Sequence, residues 1–128
     1  MPLVRIDFAG IPDQKRRRAI ADSVHHALAE TMNVPAADRF QILGNAEAIY
    51  DRTFPNLERS EEWVVIQVAL RAGRTQDMKK NFYRRVVERL AENPGLRADD
   101  VMISLIENSE DDWSFGRGEA QYAKPKAA

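Results

Sequence analysis

The chain has 128 residues, enough for a hydrophobic core, and we predict a single domain over residues 1–128. Its formal net charge of −1 excludes nucleic-acid binding through a strongly basic surface, and the absence of cysteine excludes disulfides, thiolate metal sites and a cysteine nucleophile. No apolar run approaches the ~18 residues of a membrane span. The N-terminus lacks a signal-peptide profile, so we expect a cytoplasmic protein with no membrane partner.

The first predicted strand begins beside a proline. Val4, Ile6 and Phe8 alternate with polar residues, which is typical of a half-buried strand. Pro2 has no N–H to donate to a sheet, so it suits the first residue of a strand. Removal of the initiator methionine would give Pro2 a second role as a free secondary amine, and a terminal amine titrates near pKa ~7.7–8.0. The position alone leaves both interpretations open.

The chain then contains the same order of signals twice. In each half an apolar strand ends in Ala-Gly, an amphipathic helix follows and ends at Asn and Pro, and Asp precedes a second apolar run. Gly10 thus corresponds to Gly73, and Asp38 to Asp100. This order predicts an α/β fold of tandem, pseudo-duplicated βαβ units. The predicted parts are a first unit at about 2–44, a second at about 62–107 and a C-terminal segment at 108–128.

Each predicted helix carries one apolar stripe at every fourth residue, centred on Val24 in the first helix and on Val86 in the second. Thr75 suits the N-cap of the second helix. Because crossovers between parallel strands are right-handed, two βαβ units give a four-stranded sheet with both helices on one face. The strand that contains Val64 and Val65 is apolar on both faces, so we expect other subunits to cover the open face.

Two stretches are less regular. Residues 44–62 are predicted to form a long loop with a short strand near Ala48–Tyr50. The C-terminal stretch carries aromatic residues that we expect to pack on this subunit or on a neighbour. His25 and His26 are adjacent on a predicted helix, where side chains diverge by about 100°, so we predict no metal site there.

Several of these features resemble the tautomerase superfamily: Pro2 at the start of the first strand, the Ala-Gly-Arg-Thr junction at Arg74 and Thr75, and the C-terminal block. Within that superfamily, VPAADRFQ at 34–41 and ENSEDDWSFGRG at 107–118 resemble the malonate semialdehyde decarboxylase subgroup. The resemblance implies a cofactor-independent enzyme without a metal. It also implies a trimer or hexamer of βαβ units, with a homotrimer as our expectation, a small carboxylate substrate, and catalysis by an N-terminal proline exposed by methionine removal.

The resemblance also assigns roles to single residues. Pro2 matches the catalytic proline, Asp38 the aspartate that assists it and positions water, and Arg74 one of two arginines that bind the substrate carboxylate. Apart from the resemblance, Asp38 is typical of a turn, and Arg74 of a solvated arginine at a helix start. These structural interpretations stay open beside the functional ones.

The second carboxylate-binding arginine departs from the family pattern. The pattern places the two arginines two positions apart, which would require one at Ala72, whereas this chain has Arg71 one residue earlier. A one-residue shift along a strand turns a side chain to the opposite face. Arg71 therefore reaches the pocket only if the strand ends or bulges near Gly73.

Four C-terminal residues are candidates for contact with the substrate, two of them through the resemblance. Trp113 and Tyr122 match positions that line the pocket in this subgroup, and Phe115 beside Trp113 suits either a packing anchor or a pocket wall. Arg117, between two glycines, could bind an anion or pair with a carboxylate. We include all four as candidate substrate-binding residues.

Three functions follow as hypotheses. In the leading one, burial beside cations lowers the pKa of the Pro2 amine, and neutral Pro2 acts as base and then acid in keto–enol tautomerisation of a 2-oxo acid such as phenylpyruvate. Arg74, with Arg71 as a second candidate, would hold the carboxylate. In the alternative, cationic Pro2 with Asp38 and Arg74 decarboxylates or hydrates a small three-carbon acid. The third is a non-catalytic oligomeric binding protein on the same scaffold.

Overall fold

A computed structural model describes residues 2–125 of the chain. Its strands and helices, in chain order, are β1 (Leu3–Phe8), α1 (Gln14–Thr31), β2 (Gln41–Asn45), β3 (Val64–Arg71), α2 (Gln76–Glu92) and β4 (Val101–Asn108). Short 3₁₀ turns lie at Ala98–Asp100 and Glu110–Asp112. None of the helices in the described part of the chain has the length and apolar character needed to cross a membrane.

The four strands form one mixed sheet in the order β2-β1-β3-β4. Within each βαβ unit the two strands are parallel, β1 with β2 and β3 with β4. The two units meet through the antiparallel pair β1–β3, in which Ile6 lies opposite Ile66. The predicted fold, a four-stranded sheet of tandem βαβ units with two helices, is therefore confirmed.

The core lies between the sheet and the two helices. Val4, Ile6 and Phe8 of β1 are buried, and Val64 to Leu70 of β3 are buried at every second position. These side chains pack with the apolar stripes of α1 and α2, and the two helices contact each other on the same face of the sheet. Alternation along the strands thus sends one set of side chains into the core, as the period-two pattern predicts.

The opposite face of the sheet is open in the single chain. It presents four large apolar side chains that are between 38% and 49% exposed: Leu3, Ile42, Met102 and Ile106. Across the strands, Leu3 pairs with Ala69 and Ala69 with Ile106, so an apolar row crosses the sheet at the end where β1 begins.

Capping residues define where the helices begin. The Thr75 side chain accepts a hydrogen bond from the Met78 amide at 3.1 Å, so the predicted N-cap is confirmed. Asp13, which the pattern did not single out, caps α1 by accepting from the Arg16 amide at 2.8 Å. Both side chains satisfy an amide that has no partner within its own helix.

The predicted short strand near Ala48–Tyr50 is wrong, because the described segment 46–63 contains no strand. The Tyr50 ring stacks on Trp63 at 4.4 Å between centroids, and its hydroxyl donates to the Ser60 carbonyl at 2.7 Å. Asp51 adds a side-chain turn by accepting from the Thr53 amide at 2.8 Å. Side-chain contacts therefore stabilise this loop without strand pairing.

A fully buried carboxylate fastens the same loop to the start of β4. Asp100 is 0% exposed and accepts from both the amide and the hydroxyl of Ser60 at 2.6 Å. A buried carboxylate is tolerated when such hydrogen bonds replace its water. Asp99, its partly exposed neighbour, accepts one hydrogen bond from the Glu58 amide at 2.9 Å.

We predict that Asp100→Ala lowers the free energy of unfolding by about 3 kcal/mol, because it leaves two donors of Ser60 without an acceptor. Asp99→Ala is the matched control and should cost about 1 kcal/mol, since it removes one exposed hydrogen bond. Urea unfolding followed by Trp fluorescence measures both losses. Equal losses for the two variants would contradict the anchoring role of Asp100.

Candidate active site

Pro2 is buried beside the first residue of β1 and lines a cavity of about 470 Å³. Leu3 and Ala69 contribute the sheet side of this cavity. The end of β4 and the residues after it contribute the other side, among them Asn108, Asp112, Trp113 and Phe115. Pro2 therefore faces the C-terminal block of the chain.

A second cavity, of about 210 Å³, adjoins the first. It is lined by Asp38, Arg71, Glu110, Trp113, Phe115 and Tyr122. Trp113 and Phe115 line both cavities, so the cavity of Pro2 and the cavity of Asp38 share these two rings. The structure thus brings together six of the eight predicted site residues; Arg74 and Arg117 lie elsewhere.

The aromatic residues form a continuous wall. The rings of Trp113 and Phe115 stack with an interplanar angle of 8° and centroids 5.5 Å apart, and Tyr122 meets Phe115 edge-on at 5.2 Å. The Trp113 indole Nε1–H donates to the Asn108 side-chain oxygen at 2.8 Å. These residues therefore pack on one another and line the cavities, which is compatible with both interpretations, packing anchor and pocket wall.

The turn after Phe115 explains the glycines of the C-terminal block. Gly116, Arg117 and Gly118 all have positive φ, at 145°, 62° and 69°, a backbone region that favours glycine. The Gln121 side chain holds the turn by accepting from the Phe115 amide and donating to the Gly116 carbonyl, both at 3.0 Å. The Arg117 side chain is exposed and lines neither cavity.

Arg71 is the last residue of β3 and lies opposite Asn108 of β4. Because the strand ends there, the condition for Arg71 to reach the pocket is met, and its side chain lines the second cavity. Its Nη1 forms an ion pair with Glu110 at 2.6 Å.

Arg74 occupies a different place. Its Nε and Nη2 donate to the Met32 carbonyl at 3.3 and 3.1 Å, and its Nη1 donates to the Arg71 carbonyl at 3.0 Å. Arg74 is not among the described residues that line the two cavities. Burial, and then the positive charge of Arg71, lower the pKa of its guanidinium. Arg74 thus joins the end of α1 to the end of β3.

Asp38 closes a tight turn and also lines the second cavity, so its two predicted interpretations are compatible. Its amide donates to the Pro35 carbonyl at 2.9 Å.

The next residue, Arg39, forms an ion pair with Asp22 of α1 at 2.6 Å. Burial raises the pKa of Asp22, but hydrogen bonds and charge from Arg39 and Arg18 outweigh burial and leave that pKa below 3.8. Asp22 is therefore ionised at neutral pH and keeps its contact with Arg39.

The charged residues that line the two cavities are mostly acidic. Among the described lining residues, Asp38, Glu110 and Asp112 supply three carboxylates, and Arg71 supplies one guanidinium. The expectation that cations surround Pro2 is therefore not met. Sequence reasoning missed Glu110 and Asp112, although the Ser109-x-x-Asp112 spacing is typical of a capped turn, and both capping-box bonds are present there.

Metal-ligating residues are not clustered in the part of the chain that the structure describes. In residues 2–125 no group of three or more His, Cys, Asp and Glu side chains is arranged to hold a metal ion. His25 instead bonds through Nε2 to the Ala36 carbonyl at 2.7 Å.

Fold and site together define a small α/β protein of two βαβ units in which Pro2 lines a cavity, and aromatic and acidic residues line that cavity and the one that adjoins it. Two family models, both described as tautomerase enzyme, match residues 37–116 and 2–47. The chain is 34% identical over 124 residues to the probable tautomerase YusQ of Bacillus subtilis (strain 168), covering 94% of this chain and 98% of that protein. It is 35% identical to the probable tautomerase YrdN of the same organism, with coverage of 98% and 99%.

Two solved structures are similar over nearly the whole chain. FG41 malonate semialdehyde decarboxylase inhibited by 3-bromopropiolate is 42% identical, with a TM-score of 0.85 and coverage of 94% of this chain and 93% of that one. A second malonate semialdehyde decarboxylase is 32% identical, with a TM-score of 0.86 and coverage of 94% and 95%. The chain belongs to the tautomerase family, in the subgroup that resembles malonate semialdehyde decarboxylase. It is an enzyme, a tautomerase or a decarboxylase, so the hypothesis of a non-catalytic binding protein is set aside.

Proposed function

We propose that the protein is a Pro2-dependent decarboxylase and hydratase of small three-carbon acids, of which malonate semialdehyde (3-oxopropanoate) is the model substrate. The observation that carries the proposal is the charge of the cavity lining. Among the described residues, Asp112 is the one charged residue that lines the cavity of Pro2, and the adjoining cavity adds Asp38 and Glu110 against Arg71. Neighbouring negative charge stabilises the protonated form of an amine. A cationic Pro2 suits polarisation of a carbonyl, which decarboxylation needs, better than it suits proton abstraction.

The reaction proceeds without a cofactor. Protonated Pro2 gives its proton to the aldehyde oxygen while the bond between C1 and C2 breaks. The electron pair of that bond forms the C2–C3 double bond of an enol, and C1 leaves as CO₂. The enol then takes a proton from water at C2 and returns its hydroxyl proton to Pro2, giving acetaldehyde, and the hydroxide left by the water combines with the released CO₂ as bicarbonate. Asp38 orients that water. In hydration, Asp38 and protonated Pro2 would direct a water molecule to an unsaturated acid.

Two other features of the site suit this reaction. Arg71 orients the substrate carboxylate at the mouth of the second cavity, where its guanidinium is 52% exposed and already paired with a carboxylate. Trp113 and Phe115 present an apolar wall to the bond that breaks. Because the carboxylate loses its charge as CO₂ leaves, an environment with little water favours the transition state over the bound substrate.

The similarity to two malonate semialdehyde decarboxylases supports this proposal, and one of those proteins is also described as having hydratase activity. The second candidate is keto–enol tautomerisation of a 2-oxo acid such as phenylpyruvate, which the names of the Bacillus relatives favour. In that reaction a neutral Pro2 takes a proton beside the carbonyl and returns it at the oxygen. A cytoplasmic location stays a prediction from the sequence.

We predict that methionine-processed protein converts 3-oxopropanoate to acetaldehyde, measured with a coupled alcohol dehydrogenase, and that Pro2→Ala lowers this rate at least about 100-fold. Pro12→Ala is the matched control, because Pro12 lies at the opposite end of β1 and lines neither cavity of the site. Phenylenolpyruvate ketonisation is measured with the same three proteins. Pro2-dependent turnover of phenylenolpyruvate alone would replace the proposal by the tautomerase reaction.

We predict that the two arginines have separable effects. Arg71→Ala should raise KM about tenfold, because Arg71 lines the cavity, while the free energy of unfolding changes by less than about 1 kcal/mol, since its ion pair is exposed. Arg74→Ala should lower the free energy of unfolding by about 2 kcal/mol, because the Met32 and Arg71 carbonyls lose their donor. Steady-state kinetics and urea unfolding on both variants give these values. If Arg74→Ala raises KM and Arg71→Ala does not, Arg74 is the carboxylate-binding residue.

We further propose that the chain assembles as a homotrimer through its open sheet face, because that face exposes Leu3, Ile42, Met102 and Ile106. Contiguous exposed apolar surface of this kind typically marks a protein–protein contact. Light scattering after size exclusion should give three chain masses for the wild type. Ile106→Asp should give one, since it buries a charge in the interface, whereas Lys80→Asp on the exposed side of α2 should leave the trimer intact.

A further inference from the structure

The buried polar side chains of this protein share one task. Among residues 2–125 only Ser23, His25 and Asp100 are polar and buried, at 7%, 5% and 0% exposure. Each connects the core to a loop: the Ser23 hydroxyl donates to the Asn93 carbonyl at 3.0 Å, and His25 Nε2 donates to the Ala36 carbonyl at 2.7 Å. Asp100 holds the loop before β3, as described above. A buried polar group without a hydrogen-bond partner costs free energy, so we expect each of these side chains to keep its contact with the loop.

The loop that His25 holds is the one that carries Asp38. Because a carbonyl can only accept, the short contact with Ala36 requires the proton on Nε2 of the imidazole. Ala36 is the second residue of the turn that the Asp38 amide closes on Pro35. His25 therefore fixes the backbone two residues before Asp38 from a position within the core.

The chain on the other side of Asp38 is held by the same helix. Arg39 contacts Asp22 of α1 at 2.6 Å, and the Gln41 side chain donates to the Ala21 carbonyl of α1 at 2.8 Å. Asp22 and His25 are three residues apart, so they lie one helical turn from each other. The segments on both sides of Asp38 thus contact α1, one through buried His25 and the other through partly exposed Asp22.

We propose that His25 is a positioning residue for Asp38, which it holds in the cavity through the Ala36 carbonyl. The inference rests on the proposed function, in which Asp38 orients water. Loss of the Nε2–H would free the turn and let the Asp38 carboxylate leave its place in the cavity. Since Asp38 acts in the chemical step while Arg71 orients the substrate, the loss falls on kcat and leaves KM unchanged.

Three variants test this role by kinetics. His25→Leu removes the donor and should lower kcat about tenfold with KM within about twofold of the wild type. His25→Gln keeps an amide N–H that can reach the Ala36 carbonyl and should recover most of kcat. Ser23→Ala is the matched control, because it deletes an equivalent buried hydrogen bond to a loop that carries no site residue, and it should leave kcat unchanged. A loss of kcat in Ser23→Ala as large as in His25→Leu would overturn the proposal.

A double variant tests whether His25 acts through Asp38. When His25→Leu is added to Asp38→Asn, kcat should fall no further than in Asp38→Asn alone, because the carboxylate that His25 positions is already absent. An equal fold-loss in both backgrounds would show that His25 acts elsewhere and would overturn the proposal.

Hydrogen exchange separates failure of this inference from failure of the proposed function. The Asp38 amide, which donates to Pro35, should exchange at least about tenfold faster in His25→Leu than in the wild type, while the Met32 amide, bonded to Leu28 at the end of α1, keeps its rate. This readout needs no turnover. If the wild type lacks Pro2-dependent activity, the proposed function fails, and the exchange rates still decide whether His25 holds the turn. An unchanged Asp38 amide would overturn the inference whatever the activity.

Discussion

The antiparallel pairing of β1 with β3 is the constraint on which the site depends. It places the start of β1 beside the end of β3, with Leu3 opposite Ala69, so Pro2 lies at the end of the sheet where β3 stops. Because β4 runs parallel to β3, its last residue, Asn108, ends at the same edge beside Arg71. The C-terminal aromatic segment therefore leaves the sheet next to Pro2. Parallel pairing of the two units would have put these groups at opposite ends.

The same edge also determines the electrostatics of the site. The chain that leaves β4 turns at once through Glu110 and Asp112, which brings two carboxylates to the cavities that Pro2 and Asp38 line. Arg71 is the one cation among the described lining residues, and Glu110 already offsets its charge. In the decarboxylase that we propose, this charge balance keeps the amine of methionine-processed Pro2 protonated. It is the feature by which the proposal separates decarboxylation from tautomerisation.

Interpretation of the sequence succeeded where local patterns decide the outcome and failed where distant contacts do. The apolar alternation around Ile6 and the cap at Thr75 are local, and both were predicted correctly. The strand predicted near Ala48–Tyr50 is absent because Tyr50 stacks on Trp63, a contact across thirteen positions that no local pattern contains. The contact between Arg74 and the Met32 carbonyl was not predictable for the same reason, since the two residues lie 42 positions apart.

What the sequence determined by itself is the pair of βαβ units, the cap of the second helix, the family to which the chain belongs and the residue types available for chemistry. These follow from periodicity and short motifs, which act within a few residues of one another. Only the tertiary structure decided that Arg71 lines the cavity while Arg74 fastens α1 to β3, and that His25 reaches the turn before Asp38. The direction of a side chain depends on where its strand ends and on which loop packs against it. Both are consequences of long-range packing, which one-dimensional spacing does not record.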